Sequence, residues 1–220
     1  MWHDKPLKKL EDQELKMANN TREIIFKVAQ SVFEEKGYRR ATIREICRRA
    51  EVNIASIKYY YGGKHELFAA VMEQYFSHIF PATEFPLLTI VDQQSMVAAL
   101  QEWIDDFVRR LFLLRAKSAG LRIFTCEFLE KSEVCPELYE RYLRRDIEQL
   151  ATILRYGLAD QEIDGRVYAI LGECLFFVNY GEIALIRSEM NDISGEYESK
   201  IVQQISKNAT QNLTFRNPVE

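Results

Sequence analysis

The sequence lacks the features that mark membrane, secreted and metal-binding proteins. No apolar run reaches the roughly 18 to 20 residues that span a bilayer, and residues 1–16 lack the apolar centre of a signal peptide. The 4 cysteines form no CxxC pair, and the 3 histidines stand at no metal-ligand spacing. We therefore expect a cytoplasmic protein with no membrane partner, reduced cysteines that serve packing, no metal and no cofactor.

Motifs that carry catalysis are absent as well. The chain contains no GxSxG, P-loop, HExxH or GxGxxG sequence, and nothing suggests alternating strands and helices. With 47% hydrophobic and 28% charged residues among 220, its composition is that of a globular protein that buries a core. A helical enzyme stays open as an alternative, although no cluster of residues supports it.

Apolar residues recur at helical spacing nearly everywhere, which predicts an all-α fold. A first helix is predicted over about 21–36, from a capping pair at Asn20 and Glu23 to Gly37. A second helix starts at Thr42, and a third, short helix runs from Asn53 to about residue 61. Two helices joined by a tight turn are typical of a helix-turn-helix.

The rest of the chain is also predicted to be helical. The periodic stretches cover about 64–80, 93–117, 119–131, 135–160, 165–189 and 194–213. Pro81 and Pro86 interrupt the first of these and mark the link into a second domain. The predicted organisation is an N-terminal extension at 1–20, a helix-turn-helix domain at 21–66, and a helical regulatory and dimerisation domain at 67–220.

The third helix carries two different faces. On a wheel of about 100° per residue, Ile54, Ile57 and Tyr61 form a buried stripe, and Tyr59 points outward. The groups beside Tyr59 are small, hydroxylic, aromatic or cationic, and they are Ala55, Ser56, Lys58 and Tyr60. Such a face suits the major groove of DNA. Two glycines then end the helix, so that Lys64 begins the next one near the same phosphates.

The charge of this region supports the same interpretation. Residues 36–70 contain eight basic and three acidic residues, a local charge of +5, whereas the whole chain carries −4. A basic segment on an acidic body is typical of a protein that meets nucleic acid with one face. A solvated charged surface without a partner is the alternative.

Residues 21–76 resemble the N-terminal DNA-binding domain of the TetR family of bacterial transcription regulators. The matching features are the apolar first helix, Gly37, "TIREICRRAEV", the short helix ending in three tyrosines, and "GGKHELF". The resemblance implies double-stranded DNA as a partner, with the third helix in the major groove. It implies phosphate contacts from Thr42, Tyr59 and Lys64 and a base contact from Arg44. The predicted DNA-binding set is Thr42, Arg44, Asn53, Ala55, Ser56, Lys58, Tyr59, Tyr60 and Lys64.

Two residues depart from the family pattern. Tyr61 replaces a buried phenylalanine, which leaves a phenol hydroxyl in need of a partner, and Tyr60 replaces a common histidine. These departures keep open a third class of function, a ligand-binding or scaffold protein whose helix-turn-helix has lost DNA binding.

The second half resembles more loosely the regulatory domain of the CecR-type subgroup, through "AILGECLFFVNYGEIALIR". The family resemblance implies a homodimer on a palindromic operator, and repression that a small-molecule effector releases. Because this helix is apolar nearly all round, we expect one side in a subunit interface. The predicted interface residues are Ile170, Glu173, Cys174, Phe177 and Gly181. A buried carboxylate is costly unless it is paired. Glu173 is therefore expected to bind either a group across the interface or a polar or cationic group of the ligand.

The second domain is rich in aromatic residues on helices that we expect to face one another. They suit a pocket for a mid-sized apolar or aromatic effector. The predicted lining consists of Trp103, Phe107, Phe124, Phe128, Tyr142, Phe176 and Tyr180, with Tyr139 beside them. The alternative for each residue is an ordinary core position.

Overall fold

The computed structural model of the chain describes residues 5–77, 79–80, 89–116, 120–180 and 195–216, without the side chains of residues 5–19, Arg122 and Phe124. Within these ranges every regular element is helical, which confirms the predicted all-α fold class. The helices are α1 (Lys5–Arg40), α2 (Ile43–Ala50), α3 (Ile54–Tyr61), α4 (Lys64–Phe76), α5 (Gln93–Ala116), α6 (Gly120–Leu129), α7 (Cys135–Leu138), α8 (Arg144–Leu154), α9 (Asp160–Asn179) and α10 (Gly195–Thr210). A π-helical turn, Tyr139–Leu143, joins α7 to α8.

The first helix is longer than the sequence pattern indicated. It begins at Lys5, so the predicted start at Asn20 is wrong. Pro6 lies in the first turn, where proline is tolerated, and no proline or glycine follows it before Gly37. At Gly37 the helical conformation breaks, with φ 68° and ψ 178°. The predicted helix end is therefore confirmed at a residue type that can adopt this backbone conformation.

The chain divides into two compact units. Unit 1 comprises residues 1–75 and 122–135, and unit 2 comprises residues 76–121 and 136–220. The core of unit 1 joins α1, α2, α3 and α4 through buried Ile25, Phe33, Ile46, Ile57 and Phe68. The rings of Phe33 and Phe68 meet edge to face, with centroids 5.0 Å apart. These contacts hold the short α2 and α3 in fixed positions.

Unit 2 packs its long helices around one apolar core. Helix α5 contributes Leu100, Trp103, Ile104 and Phe107, which are at most 1% exposed. Helices α8, α9 and α10 add a further set of buried residues, namely Leu150, Ile153, Leu154, Ile170, Cys174, Val178 and Ile205.

No helix among the described residues is long and apolar enough to cross a membrane. The predicted breakers Pro81 and Pro86 lie outside the described residues.

Candidate functional site

Two side-chain caps position the helices of the candidate DNA-binding face. Thr42 caps α2, because its Oγ1 accepts the backbone N–H of Glu45 at 3.2 Å. Asn53 caps α3, where its Oδ1 accepts the backbone N–H of Ser56 at 2.8 Å. Both predicted helix starts are confirmed. A side-chain cap stabilises a helix by about 1 kcal/mol, which matters for helices of only 8 residues.

The predicted DNA-binding residues lie at the surface of unit 1. Thr42, Arg44, Asn53, Ala55, Lys58 and Tyr59 are exposed, and Ser56, Tyr60 and Lys64 are partly exposed. Ile57 is 1% exposed and Tyr59 is 82% exposed, so the two predicted faces of α3 are present. Ile54 is an exception: it was predicted to lie in the buried stripe, yet it is 55% exposed. It is the first residue of α3.

The hydroxyl of Tyr61 has the partner that it needs. It donates to the backbone carbonyl of Arg22 on α1 at 2.9 Å. The guanidinium of Arg22 also lies over the Tyr61 ring, 5.7 Å from its centroid. The departure from the family's phenylalanine therefore adds a bond between α3 and α1 within unit 1.

The basic residues of this region fall into two groups, and those of the first group are paired with carboxylates. Arg49 binds Glu35 through two bonds of 2.7 Å and also contacts Glu45 at 2.8 Å, while Lys36 contacts Glu45 at 2.5 Å. The hydrogen bonds from Arg49 lower the pKa of Glu35 to about 2. A further pair, not as tight, joins Arg40 to Glu130.

The second group has no carboxylate partner among the described residues. It consists of Arg39, Arg44, Arg48 and Lys58, and all four are exposed. These cations surround α2 and α3 and remain available to phosphates. The basic residues behind the local charge of +5 are thus of two kinds: some hold unit 1 together through ion pairs, and the others face solvent.

The ammonium group of Lys64 lies over an aromatic ring. Its Nζ lies 4.2 Å from the centroid of the Tyr38 ring. Burial lowers the pKa of Lys64, and the charges of Glu133 and Glu127 oppose that shift. The backbone N–H of Tyr38 in turn donates to Glu127 Oε1 at 2.6 Å. Glu127 is 2% exposed, so a buried carboxylate on α6 caps the break in α1 at Gly37.

Part of the predicted effector lining forms a continuous aromatic cluster in unit 2. Trp103 stacks on Phe107 at 4.9 Å between centroids, Phe107 meets Phe80 at 6.5 Å, and Phe80 meets Phe76 at 5.5 Å. Phe76 stacks on Tyr142 at 4.6 Å. The cluster is mostly buried. Indole Nε1 of Trp103 is buried and has no hydrogen-bond partner among the described residues.

A buried ion pair borders this aromatic cluster. Arg110 binds Asp146 through bonds of 2.9 and 2.6 Å, and its guanidinium lies 5.0 Å from the centroid of Phe80. Its Nε is 2.8 Å from Asp106 Oδ2, but off the direction of a hydrogen bond. No group of residues within the described ranges could hold a metal ion.

The other predicted lining residues lie elsewhere. Phe128 belongs to unit 1, and the side chain of Phe124 lies outside the described residues. Tyr139 is only partly buried, in the π-helical turn. Phe176 of α9 and Tyr180, which follows the end of α9, are each 52% exposed.

Helix α9 also places the predicted interface residues differently from the expectation. Ile170 and Cys174 are buried in the core of unit 2 at 2% and 0% exposure. Glu173 accepts a hydrogen bond from Asn208 of α10 at 3.1 Å, so it has a partner within its own chain. Phe177 is partly buried, and Gly181 lies outside the described residues. The side of α9 that was predicted to meet a second subunit therefore faces the core of unit 2.

Several residues of these sites were missed by sequence reasoning. The backbone carbonyl of Arg22 and the side chain of Glu127 bind groups of residues 39 and 89 positions away, and no sequence signal indicates such contacts. Phe76 and Phe80 could have been found, because they lie four residues apart in the helix that the sequence predicts over about 64–80, and residues four apart share one helix face. Arg110 could have been found as well, because Asp106 lies four residues before it and can pair with it on one helix face.

Comparisons with known proteins agree with the geometry of unit 1. Residues 25–71 match the family described as "Bacterial regulatory proteins, tetR family". The chain is similar to the HTH-type transcriptional repressor NicS of Pseudomonas putida, with 31% identity over 93 residues, 42% of this chain and 44% of that protein. It is also similar to the probable HTH-type transcriptional regulator YttP of Bacillus subtilis, with 29% identity over 89 residues, 40% of this chain and 43% of that protein. The chain thus matches less than half the length of these curated relatives.

A solved structure covers more of the chain. HlyIIR, a hemolysin II transcriptional regulator, superposes with a TM-score of 0.55 over 90% of this chain and 99% of that chain, at 23% sequence identity. At this identity the likeness shows the fold alone. The resemblance to the CecR-type subgroup stays a prediction.

Proposed function

We propose that this chain, whose residues 25–71 match the TetR family of bacterial regulatory proteins, is a sequence-specific DNA-binding transcriptional regulator. It acts as a homodimeric repressor on a palindromic operator, and a small apolar or aromatic molecule releases it. The observation that carries the proposal is the exposed face of α3, with Lys58 and an 82% exposed Tyr59 beside the exposed Arg44 of α2.

The face suits a duplex in the following way. Helix α3 enters the major groove, and its first residues reach the base edges. Arg44 and Lys58 carry positive charge without a carboxylate partner among the described residues, so both can bind phosphate or guanine. The Thr42 hydroxyl accepts a backbone N–H at the helix start and can still donate its own proton to a phosphate oxygen. Tyr59 can donate in the same manner.

The test is a selection of duplexes from a random pool, followed by binding measurements on the enriched sequence by fluorescence anisotropy. Arg44→Ala and Lys58→Ala remove one exposed charge each from the proposed face. Lys200→Ala, in α10, removes the same charge from unit 2 and serves as the matched control. We expect each lost phosphate contact to reduce the slope of log K against log salt by about 0.9. Selection without an enriched motif, or equal binding by all three variants, would refute the proposal.

The homodimer is supported by an exposed apolar stripe on α9. Tyr168, Phe176 and Tyr180 are 66%, 52% and 52% exposed, and they lie on one side of the helix at spacings of eight and four. Gly172 lies in the same stripe, and a Cβ there would meet nothing within 4 Å. A second copy of the chain can therefore approach this helix closely, and two-fold symmetry would present two α3 helices to a palindrome.

The oligomeric state tests this part separately. Phe176→Glu places a charge in the stripe and should yield a monomer in size-exclusion chromatography with light scattering at micromolar concentration. Leu113→Glu, at an equally exposed leucine of α5, is the control and should remain a dimer. A wild-type monomer would contradict the homodimer.

The effector site is proposed at the aromatic cluster of unit 2. Buried rings supply apolar contact, and the free Trp103 N–H supplies one directed donor. Helix α4 begins at Lys64 in the DNA-binding face and ends at Phe76 in this cluster, so we infer that α4 carries the motion. A ligand can release DNA only if it favours the arrangement that does not bind DNA.

Trp103 also offers the measurement. The chain contains 2 tryptophans, so a Trp2→Phe variant leaves Trp103 as the only indole. Binding of an aromatic effector should change its fluorescence and release the labelled operator at the same concentration. Operator release without a change in Trp103 fluorescence would place the effector elsewhere.

Each alternative has lost part of its support. The scaffold alternative depended on Tyr60 and Tyr61, and the Tyr61 hydroxyl is now accounted for by Arg22. The enzyme alternative is disfavoured by the family match, because that family consists of regulatory proteins.

A further inference from the structure

One residue at the start of α3 is exposed although it is apolar. Ile54 is the first residue of α3 and is 55% exposed. Leaving such a side chain half in water forgoes about half of the gain of burying it, which is roughly 1.5 to 3 kcal/mol for a full isoleucine. Isolated exposed apolar residues are common. Ile54, however, lies at the start of the helix that is proposed to enter DNA, where an exposed apolar side chain can contact a base.

Three of the polar groups beside Ile54 are engaged with one another. Asn53 Oδ1 accepts the backbone N–H of Ser56 at 2.8 Å and also the Ser56 hydroxyl at 3.1 Å. The acceptor of Asn53 and the donor of Ser56 are therefore used to cap the helix. The two residues between them, Ile54 and Ala55, are both exposed and carry no hydrogen-bonding side chain. The first turn of α3 thus presents an apolar end.

The major groove of DNA has one apolar group that such an end can recognise. Each base pair shows a distinct pattern there, and the 5-methyl group of thymine is its only hydrocarbon feature. The N-terminal residues of a recognition helix are the ones that contact base edges. Lys58, one turn after Ile54 on the same side of α3, can supply the attraction to phosphate that an isoleucine lacks.

We infer that Ile54 is a specificity-determining residue that packs against the 5-methyl group of a thymine in each half of the operator. The inference rests on the proposed function and extends it, because it names a base that the operator must contain. It assigns recognition at this position to apolar contact, with no hydrogen bond to the base.

The test is a thymine-by-thymine replacement in the selected operator. Deoxyuridine differs from thymidine only by the missing 5-methyl group, so each replacement removes one methyl without changing base pairing. Affinities are measured for the full-length wild type, for Ile54→Ala, and for Ile24→Ala. Ile24 lies on α1 in the same unit and is 40% exposed, so its variant controls for the loss of an exposed isoleucine that does not belong to α3.

We expect one thymine per half-site at which deoxyuridine weakens wild-type binding about fourfold, the effect of losing one buried methyl-sized group. Ile24→Ala should show the same loss, whereas Ile54→Ala should bind the two operators equally. If no thymine shows a methyl effect, or if Ile54→Ala retains it, the inference is refuted while the proposed function stands. If the random pool yields no enriched sequence, the proposed function fails, and this inference fails with it.

Discussion

Glu127 offers the sharpest test of how unit 1 is held together. Its carboxylate accepts the N–H of Tyr38 at 2.6 Å, next to the break in α1 at Gly37, and the side chain is 2% exposed. A hydrogen bond to a charged group contributes about 1.5 to 3 kcal/mol. Glu127→Ala removes that acceptor and leaves a buried N–H without a partner, so we expect the stability of unit 1 to fall by about 2 to 3 kcal/mol.

Glu127→Gln separates the hydrogen bond from the charge. The glutamine keeps a carbonyl oxygen for the Tyr38 N–H and removes a carboxylate that is costly to bury. The second oxygen, Oε2, has no hydrogen-bond partner among the described residues, so a glutamine side chain breaks no further bond there. We therefore expect Glu127→Gln to change the free energy of unfolding by less than about 1 kcal/mol. Glu130→Ala is the control on the same segment, because its pair with Arg40 is exposed and contributes about 0 to 1 kcal/mol.

Hydrogen exchange gives the most direct assay. A chain of two units need not unfold in one step, so a global denaturation curve can blur a local effect. Mass spectrometry of a peptide that contains Tyr38 reports the protection of that amide itself. Protection should fall in Glu127→Ala and remain in Glu127→Gln and Glu130→Ala. Equal protection in the alanine variant and the wild type would refute this account of Glu127.

Three further predictions concern the same unit. Tyr61→Phe removes the bond to the Arg22 carbonyl, and a urea titration should show a loss of about 0.5 to 1.5 kcal/mol. Burial, with Glu34, raises the pKa of Tyr75 to about 12. Because tyrosine titrates near 10 in an unfolded chain, this contribution to stability is complete below about pH 10 and is lost as the pH rises toward 12. The urea midpoint of the wild type should therefore fall more steeply over that window than that of Tyr75→Phe. Gly37→Ala forces a side chain onto φ 68° and ψ 178° and should cost roughly 1 to 3 kcal/mol in the same assay.

The fold was predictable to a large extent because the signals that start and end a helix lie close together in the sequence. The caps at Thr42 and Asn53, and the break at Gly37, depend on residues within a few positions of one another. The start of α1 was missed for the opposite reason. A capping pair at Asn20 resembles a helix start, but nothing in the preceding residues breaks the helix, so it continues back to Lys5.

The candidate sites were predictable only where one helix face decides them. The exposed face of α3 followed from its periodicity, apart from Ile54, whose exposure depends on where α3 lies in unit 1. On α9 both sides are apolar, and periodicity cannot say which side a core will take. Burial of Cys174 and exposure of Phe176 are decided by α5 and α10, which the local sequence does not represent.

The π-helical turn at Tyr139–Leu143 has a consequence for how this protein tolerates insertions and deletions. A π-turn accommodates one residue more than an α-helical turn, and each residue rotates a helix by about 100°. The position of the Tyr142 ring against Phe76 therefore depends on the number of residues in this turn as well as on their identity. Deleting one residue here would rotate the preceding α7 relative to α8 without changing a single contact residue. Among homologous chains, length in this turn would then be inherited together with the shape of the aromatic cluster.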